Sequence, residues 1–403
     1  MSMDRRDFLK QGGLGLAAIP GLGLIESFAF LPAGADRIFV LLELAGGNDG
    51  LNMAIPYEDP AYMKARPMIG VRQGHHILEK GLALHPRMGA MARLYKDGDL
   101  AVIEGVGYPQ PNRSHFRSMD IWQSARPDLE KPRLGWLGLA ADILAGKGRS
   151  LPAVALGGTE LPLCLRTHKI TVPTLDSLDD YQLARRNLDT REIEEQKKLE
   201  QELSRARKGD DRLAALIKAT AREAYVGAEK LRRSAANYKA KVAYPKSGLG
   251  RRFEMASRVV TSPLGTRLLH LRQTGYDTHA GQNRTHGNLL GELSEALAAF
   301  AQDMKARGMW DRCQVMTFSE FGRRVGENKS RGTDHGTAST VFLAGGKTKG
   351  GLHGRRPSLT RLDRGDLIFS TDFRAIYRNL LESWIGVPAA PILHGDYRGL
   401  DLV

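Results

Sequence analysis

The sequence predicts an α/β fold built on a mainly parallel sheet. Two observations carry the prediction. Short apolar runs bounded by loop residues recur along the chain, as buried strands do. Helical patterns fall between several of them, and strands alternating with helices favour a parallel sheet covered on both faces. At 403 residues the chain is also long enough to bury a sizeable core.

The first strand is read in Arg37 to Ala45, a near-continuous apolar run closed by Gly46-Gly47-Asn48-Asp49-Gly50. Pro86 to Tyr95 reads as helical, and Leu100 to Gly107 as a second strand followed by the loop Tyr108 to Arg113. Pro152 to Gly158, Leu268 to Thr274, Cys313 to Ser319 and Thr340 to Gly345 are the third to sixth strands. Between the fourth and fifth, Gly287 to Arg307 carries Leu289, Leu293, Leu297, Phe300 and Met304 on one helical face. Residues 183–245 are rich in Glu, Lys, Arg and Ala. They read as a helical insertion of two helices broken near Gly209, with Leu213, Leu216, Ile217 and Leu231 at helical spacing and charges that form a solvated face.

Residues 1–35 have the order of an export signal: Arg5-Arg6 with Phe8, Leu9 and Lys10, an apolar glycine-rich run, then Ala33-Gly34-Ala35. They read as a twin-arginine signal peptide, with the fold occupying 36–403. The expected location is periplasmic or otherwise exported, and the expected partner is the twin-arginine export machinery. No other stretch is long and apolar enough to give the mature chain a stable transmembrane span. The net charge of +14 suits anionic substrates or envelope surfaces as well as plain solubility. Nucleic acid is not expected, because zinc-finger spacing and aromatic-basic RNA motifs are missing. Cys164 and Cys313 are the only cysteines and lie in apolar runs, which favours buried thiols over a disulfide.

Five polar clusters adjoin the predicted strands. They are Asn48-Asp49, Asn112-Arg113-Ser114-His115-Phe116, Tyr276-Asp277-Thr278-His279 with Gln282 and His286, Ser319-Glu320-Phe321-Gly322-Arg323-Arg324, and Asp334-His335-Gly336. Each alone has a plain structural reading: a turn aspartate, a serine N-cap, a satisfied histidine, a surface arginine. In a parallel sheet they would share the edge at the carboxyl ends of the strands. Oxygen and imidazole ligands in that mixture suit a divalent ion such as zinc, manganese, calcium or magnesium. Such an ion could polarise a phosphoryl or sulfuryl oxygen, and Arg323 or Arg113 could clamp an oxyanion.

These motifs, with the signal and Glu43-Leu44-Ala45-Gly46-Gly47-Asn48-Asp49-Gly50-Leu51-Asn52, resemble the domain of unknown function 1501 family of exported bacterial proteins. That family is grouped with the alkaline phosphatase and sulfatase superfamily. The resemblance implies an alkaline-phosphatase-like sheet with helices on both faces and a one- or two-metal hydrolase site. It implies Asp49 as the aspartate after the first strand and Ser114 as the nucleophile opening a helix. Asp277 with His279 or His286, and His335 before a late strand, would be the metal ligands. Where superfamily members carry Asp-His, this chain has Ser319-Glu320, so Glu320 is the carboxylate candidate there. The candidate set is therefore Ser114, Arg323 and His115 for catalysis, and Asp49, Asp277, His279, His286, Glu320 and His335 for metal. The implied activity is hydrolysis of an anionic small-molecule or polysaccharide ester of phosphate or sulfate. The alternative is a non-catalytic periplasmic or envelope-associated protein that keeps the fold with a degenerate site.

The export reading has a direct test. Replacing Arg5 and Arg6 together with Lys removes the planar guanidinium pair and should leave an uncleaved, folded precursor in the cytoplasm. Cell fractionation that still finds the double-Lys protein in the periplasm would reject the route.

Overall fold

In a computed structural model, the described residues are 37–147, 151–175, 238–397 and 399–403. The signal stretch 1–35 and the insertion up to residue 237 lie outside them, and residues 238–245 of the expected insertion contain no helix. The strands are β1 (Ile38–Ala45), β2 (Ala54–Ile55), β3 (His76–Glu79), β4 (Leu82–Leu84), β5 (Leu100–Gly107), β6 (Ala153–Leu156) and β7 (Thr174–Leu175). They continue with β8 (Leu268–Thr274), β9 (Cys313–Phe318), β10 (Ser339–Gly345), β11 (Gly351–Gly354), β12 (Leu362–Asp363), β13 (Asp366–Leu367) and β14 (Thr371–Asp372). The principal helices are α1 (Gly89–Lys96), α2 (His115–Ser124), α3 (Trp136–Ala145), α4 (Gly248–Val260), α5 (Gln282–Ala306) and α6 (Phe373–Asn379).

A nine-stranded sheet runs in the order β11-β5-β10-β9-β1-β8-β6-β7, with β14 also on β5. Every pairing is parallel except those of β10, which is antiparallel to both β5 and β9. β1 lies centrally between β8 and β9, and its register is Val40 opposite Leu269 and Val315. Its near-continuous apolar sequence follows from burial on both faces. Val40, Leu42 and Leu44 join a core with Phe253, Leu293 and Phe300 of α4 and α5. Phe39 and Leu41 face the opposite core, with Trp122, Trp136 and Tyr377 of α2, α3 and α6. Helices therefore cover both faces, as the alternation of strands and helices predicts. Among the described residues no helix is long and apolar enough to cross a membrane. Cys164 and Cys313 are both buried free thiols.

The antiparallel β10 has a consequence for function. Its amino end lies beside the carboxyl ends of its parallel neighbours, so the loop before it reaches the same edge as the loops after β1, β8 and β9. His335 arrives there for that reason.

Beneath this edge lies a buried polar network. Asp49 caps the short helix Gly50–Met53 by accepting from Leu51 N, and its Oδ2 accepts from Arg66 Nη1 at 2.6 Å and from Gln282 Nε2. Arg66 is fully buried and also donates to Asn52 Oδ1, Val325 O and Arg324 O. His286 Nε2 meets Asn48 Oδ1 at 2.9 Å. Burial acts to raise the Asp49 carboxyl, but the charge and hydrogen bond of Arg66 hold it below the usual carboxylate range. Burial also lowers His286, to about 4, against the pull of Asp49.

The sign of the pH dependence follows. Between pH about 6.5 and about 4 the unfolded chain carries a proton on His286 that the folded chain refuses, so stability falls as pH drops through that window. The Asp49 contribution is present above its unfolded value, about 3.9, and is lost only below it. Urea midpoints measured from pH 7 to 4 should decline, with His286 supplying about 3 kcal/mol of the loss. In His286→Gln, which keeps an N–H for Asn48, the slope over that window should flatten. An unchanged slope would reject the assignment.

Candidate metal centre

The loops at this edge are held by close backbone packing. Gly46 has φ of +123, and a Cβ there would lie 2.4 Å from Asp277 N, so a side chain would push the β8 loop away. Gly47, φ +73, lies under the ring of Phe321 in the same way. Ser319 Oγ accepts from Asn48 N at 2.8 Å and donates to Leu44 O at 2.7 Å, tying the ends of β1 and β9 together.

On this platform three histidines converge on one carboxylate. His115, the first residue of α2, places Nδ1 2.8 Å from Glu320 Oε1 and Nε2 3.6 Å from Asp277 Oδ2. His335 places Nδ1 3.0 Å from the carbonyl of Arg113 and Nε2 3.3 Å from Asp277 Oδ1. His279 places Nδ1 3.4 Å from Asp334 Oδ1 and Nε2 3.0 Å from Asp277 Oδ1. Each Nδ1 has an oxygen acceptor behind it and each Nε2 faces the Asp277 carboxylate, so a ring that carries its proton on Nδ1 directs its Nε2 lone pair at the cluster. His279 Nε2 and His335 Nε2 are 2.9 Å apart. Two lone pairs at that separation repel unless a proton or a cation lies between them. Ligand atoms of His115, Asp277 and His335 all fall within 4.8 Å of one another. The donor set fits a divalent ion. Each imidazole is oriented from behind by an oxygen, the usual support for a metal-bound histidine. The cluster is open to solvent, with 33% of the His115 and 48% of the Asp277 side chain exposed.

Burial acts to raise the Asp277 carboxyl, and Arg323 with the neighbouring histidines brings it below its ordinary value. His335 is lowered, first by burial and then by the charges of Arg323 and His115, with Asp277 opposing. The neutral ring, the form that ligates, is therefore favoured.

The other sequence candidates fall in different places. Ser114 is the exposed N-cap residue of α2, and its side chain makes no capping hydrogen bond. Glu320 reaches the cluster only through His115. It is buried, and its carboxylate also accepts from Gly46 N and Ser319 Oγ. Its geometry is that of a residue that orients His115 rather than a direct ligand.

Asp49 and His286 lie in the buried network below, both at 1% exposure, with Arg66 already paired to Asp49. Arg323 corrects the expectation of an open anion clamp. Its Nε donates to Gly47 O at 2.6 Å and its Nη1 to Thr333 O at 2.8 Å. Its Nη2 donates to Gly46 O, Tyr276 O and Asp277 Oδ1. The guanidinium is wholly buried and bonded to the protein, with no edge turned toward a substrate. Sequence reasoning did not single out Arg66, an arginine just past the end of the short helix Pro60–Ala65 with no motif around it to mark its burial.

Three solved structures show detectable likeness in fold. The C-terminal periplasmic domain of EptC from Escherichia coli, in complex with Zn, is 11% identical over 78% of this chain and 75% of that one, with a TM-score of 0.37. A protein in the alkaline phosphatase superfamily from Vibrio parahaemolyticus is 10% identical over 87% and 67%, with a TM-score of 0.42. The PsFucS1 sulfatase from Pseudoalteromonas is 12% identical over 91% and 71%, with a TM-score of 0.39. Likeness of that degree transfers nothing about the site. No curated protein sequence matches this chain. Residues 83–375, more than half of the chain and all of the centre just described, match the model of the family described as "Protein of unknown function (DUF1501)", and the chain belongs to that family.

Proposed function

We propose that this protein is an exported, metal-dependent hydrolase of phosphate or sulfate esters, of the alkaline phosphatase and sulfatase type. The observation that carries the reading is the convergence of three imidazole Nε2 atoms on Asp277 at a solvent-open sheet edge, one residue from the exposed Ser114. His115, Asp277, His279 and His335 would hold the ion. An imidazole-rich set with one carboxylate favours zinc over manganese, calcium or magnesium. Bound there, a divalent ion would supply Lewis-acid polarisation of an ester oxygen and lower the pKa of a nearby hydroxyl.

The chain's own residues supply the rest. Ser114 presents a hydroxyl at the amino end of the ten-residue α2, where first-turn N–H groups and the helix dipole favour an anion. Its Oγ, losing its proton to solvent, would form the new bond to phosphorus or sulfur as the bond to the leaving alkoxide breaks. The alkoxide would take up a proton from solvent, and water would then cleave the seryl ester to free the inorganic anion and restore Ser114. Glu320 holds the His115 ring, and the Arg113 carbonyl holds His335, so neither imidazole has to reorganise.

One observation favours the alternative of a non-catalytic envelope-associated protein. Arg323 and Asp49 are both fully engaged within the protein, which leaves a simpler site than a two-metal hydrolase needs.

Two measurements separate the readings. Elemental analysis of chelator-free protein should find at least one divalent ion per chain, lost in a variant combining Asp277→Asn with His335→Gln. Ser114→Ala should lower turnover of an aryl phosphate or sulfate by at least about a thousandfold with metal content unchanged. Wild-type protein that binds metal but turns over neither ester class, across added zinc, manganese, calcium and magnesium, would establish the non-catalytic reading. Full activity in Ser114→Ala would remove the nucleophile.

A further inference from the structure

A cavity of about 520 Å³ lies at the carboxyl ends of β6 and β8, against one face of α2. Its size is that of a small-molecule site. Leu156 and Gly157 bring the end of β6 to its wall, Arg272 and Thr274 the end of β8, and Met119 and Gln123 the helix. His115 of the centre opens the same helix, so Met119 and Gln123 stand about 6 and about 12 Å further along its axis. Thr274 precedes Asp277 by three residues. The cavity therefore shares a helix and a strand loop with the centre, but none of its proposed ligands.

Three arginines line it: Arg166, Arg252 and Arg272. Two of them are positioned by the fold. Arg272 Nε lies 2.7 Å from Glu43 Oε1. Glu43 is 2% exposed, and its Oε2 accepts from Gln123 Nε2 at 2.9 Å and meets His270 Nε2 at 3.1 Å. A carboxylate buried in the middle of an apolar strand is costly unless it is paired. Here it holds the Arg272 fork by Nε, while 54% of that side chain stays exposed and Nη1 and Nη2 make no hydrogen bond among the described residues. Arg252 reaches across from α4 and donates from Nη1 to Arg272 O at 2.7 Å, which brings a second guanidinium to the same part of β8. Gly157, φ +81, gives it passage, because a Cβ there would lie 2.1 Å from Arg252 Nε. Arg166 is exposed on the wall.

The charges narrow the ligand. Among the described residues the acids on the wall are Glu43, already paired, and Glu160, so arginine is in excess. That excess opposes a cation, and guanidinium groups bind oxyanions through charge-assisted hydrogen bonds. A surface also leads from the centre to the cavity. Phe116, next to His115, is 87% exposed and lies three and seven residues before Met119 and Gln123, on the same helical face. It offers apolar area to a ligand that spans both places. We propose that this cavity binds a sulfate or phosphate group through Arg252 and Arg272, as a second anionic substituent of the substrate whose ester is cleaved at the centre. The substrate class is then a multiply charged ester. The place of the group on that substrate rests on the hydrolase reading, whereas its binding here does not.

The test reads binding without turnover. Titration calorimetry on the full chain, in EDTA so that no ion contributes, would use sucrose octasulfate and inositol hexakisphosphate as multiply charged probes. Sucrose is the neutral control. Binding of a multiply charged probe, weakening as salt rises, is expected, and the sulfate and phosphate arms tell which source fits. Arg252→Gln and Arg272→Gln should each weaken it about tenfold. Lys347→Gln, which removes a 62% exposed charge at the opposite end of the sheet, should leave it unchanged. Should Arg272→Gln fail to fold, because Glu43 loses its partner, Arg252→Gln alone decides. No binding of either charged probe, equal binding of sucrose, equal weakening in Lys347→Gln, or unchanged binding in a folded Arg252→Gln protein would overturn the proposal. Absence of ester turnover with polyanion binding intact would count against the hydrolase reading and leave this binding site standing.

Discussion

The buried guanidinium of Arg323 is the interaction on which the edge of the sheet depends. It bonds to carbonyls of Gly46, Gly47, Tyr276 and Thr333 and to the Asp277 carboxylate, so one side chain joins the loops that follow β1 and β8 and the one that precedes β10. A buried charge of this kind is tolerated only with its full set of acceptors. The converse also holds, because carbonyls at strand ends need donors, and the planar fork supplies several from one residue. Lysine could not replace it, having one nitrogen where three distinct ones are used. The positions of Asp277, His279 and His335 follow from this fastening. None of the three is itself deeply buried, so core packing alone would not fix them.

The charge balance of the centre follows from the same feature. Asp277, Glu320 and Asp334 bring three negative groups to the histidine cluster, and Arg323 brings one positive group. The difference is two negative charges, which a divalent ion would neutralise. Asp49 contributes nothing to this sum, since Arg66 neutralises it in the layer below. The edge is thus built in two tiers. In the lower tier carboxylate and guanidinium are already matched and dry. In the upper tier the carboxylates outnumber the cations, and Asp277 and Asp334 face solvent. Only the upper tier offers an ion a gain in electrostatic energy without displacing a protein partner.

The sequence showed the core strands well and the lateral order of the sheet hardly at all. Leu100 to Gly107 and Leu268 to Thr274 were legible to the residue, the first as a run buried along its whole length and the second from the buried Leu268, Leu269 and Leu271 that open it. That β10 runs antiparallel was not legible, since a short apolar run carries no sign of its direction. β11 and β14 were invisible, being short and pieced together from glycine, histidine and threonine. The polar clusters were found because Asp, His, Ser and Arg stand out after apolar runs. Their division into two tiers was not, because it depends on which partner each meets across the fold. Asp49 and Asp277 look alike in sequence, and only Arg66 separates them. Glu43 makes the same point. It reads as a blemish in an apolar strand, yet it is buried and bonded to Gln123, His270 and Arg272.

Arg113 connects these parts most tightly. Its carbonyl holds His335 Nδ1, its guanidinium pairs with one oxygen of Asp366, and the next residue along the chain is Ser114. The backbone here is held by Asn112, whose Oδ1 accepts from Ser114 N at 2.8 Å and whose N–H is bound by Tyr108 Oη at 3.0 Å. A short loop therefore carries both Ser114 and the carbonyl that holds His335. A shift in it would move both at once, so positional precision in this loop matters more than the strength of any single contact. The loop is itself exposed and has little apolar burial to steady it. Its precision comes from hydrogen bonds to fixed groups at both ends, which is how a surface segment can hold reactive geometry on a rigid sheet.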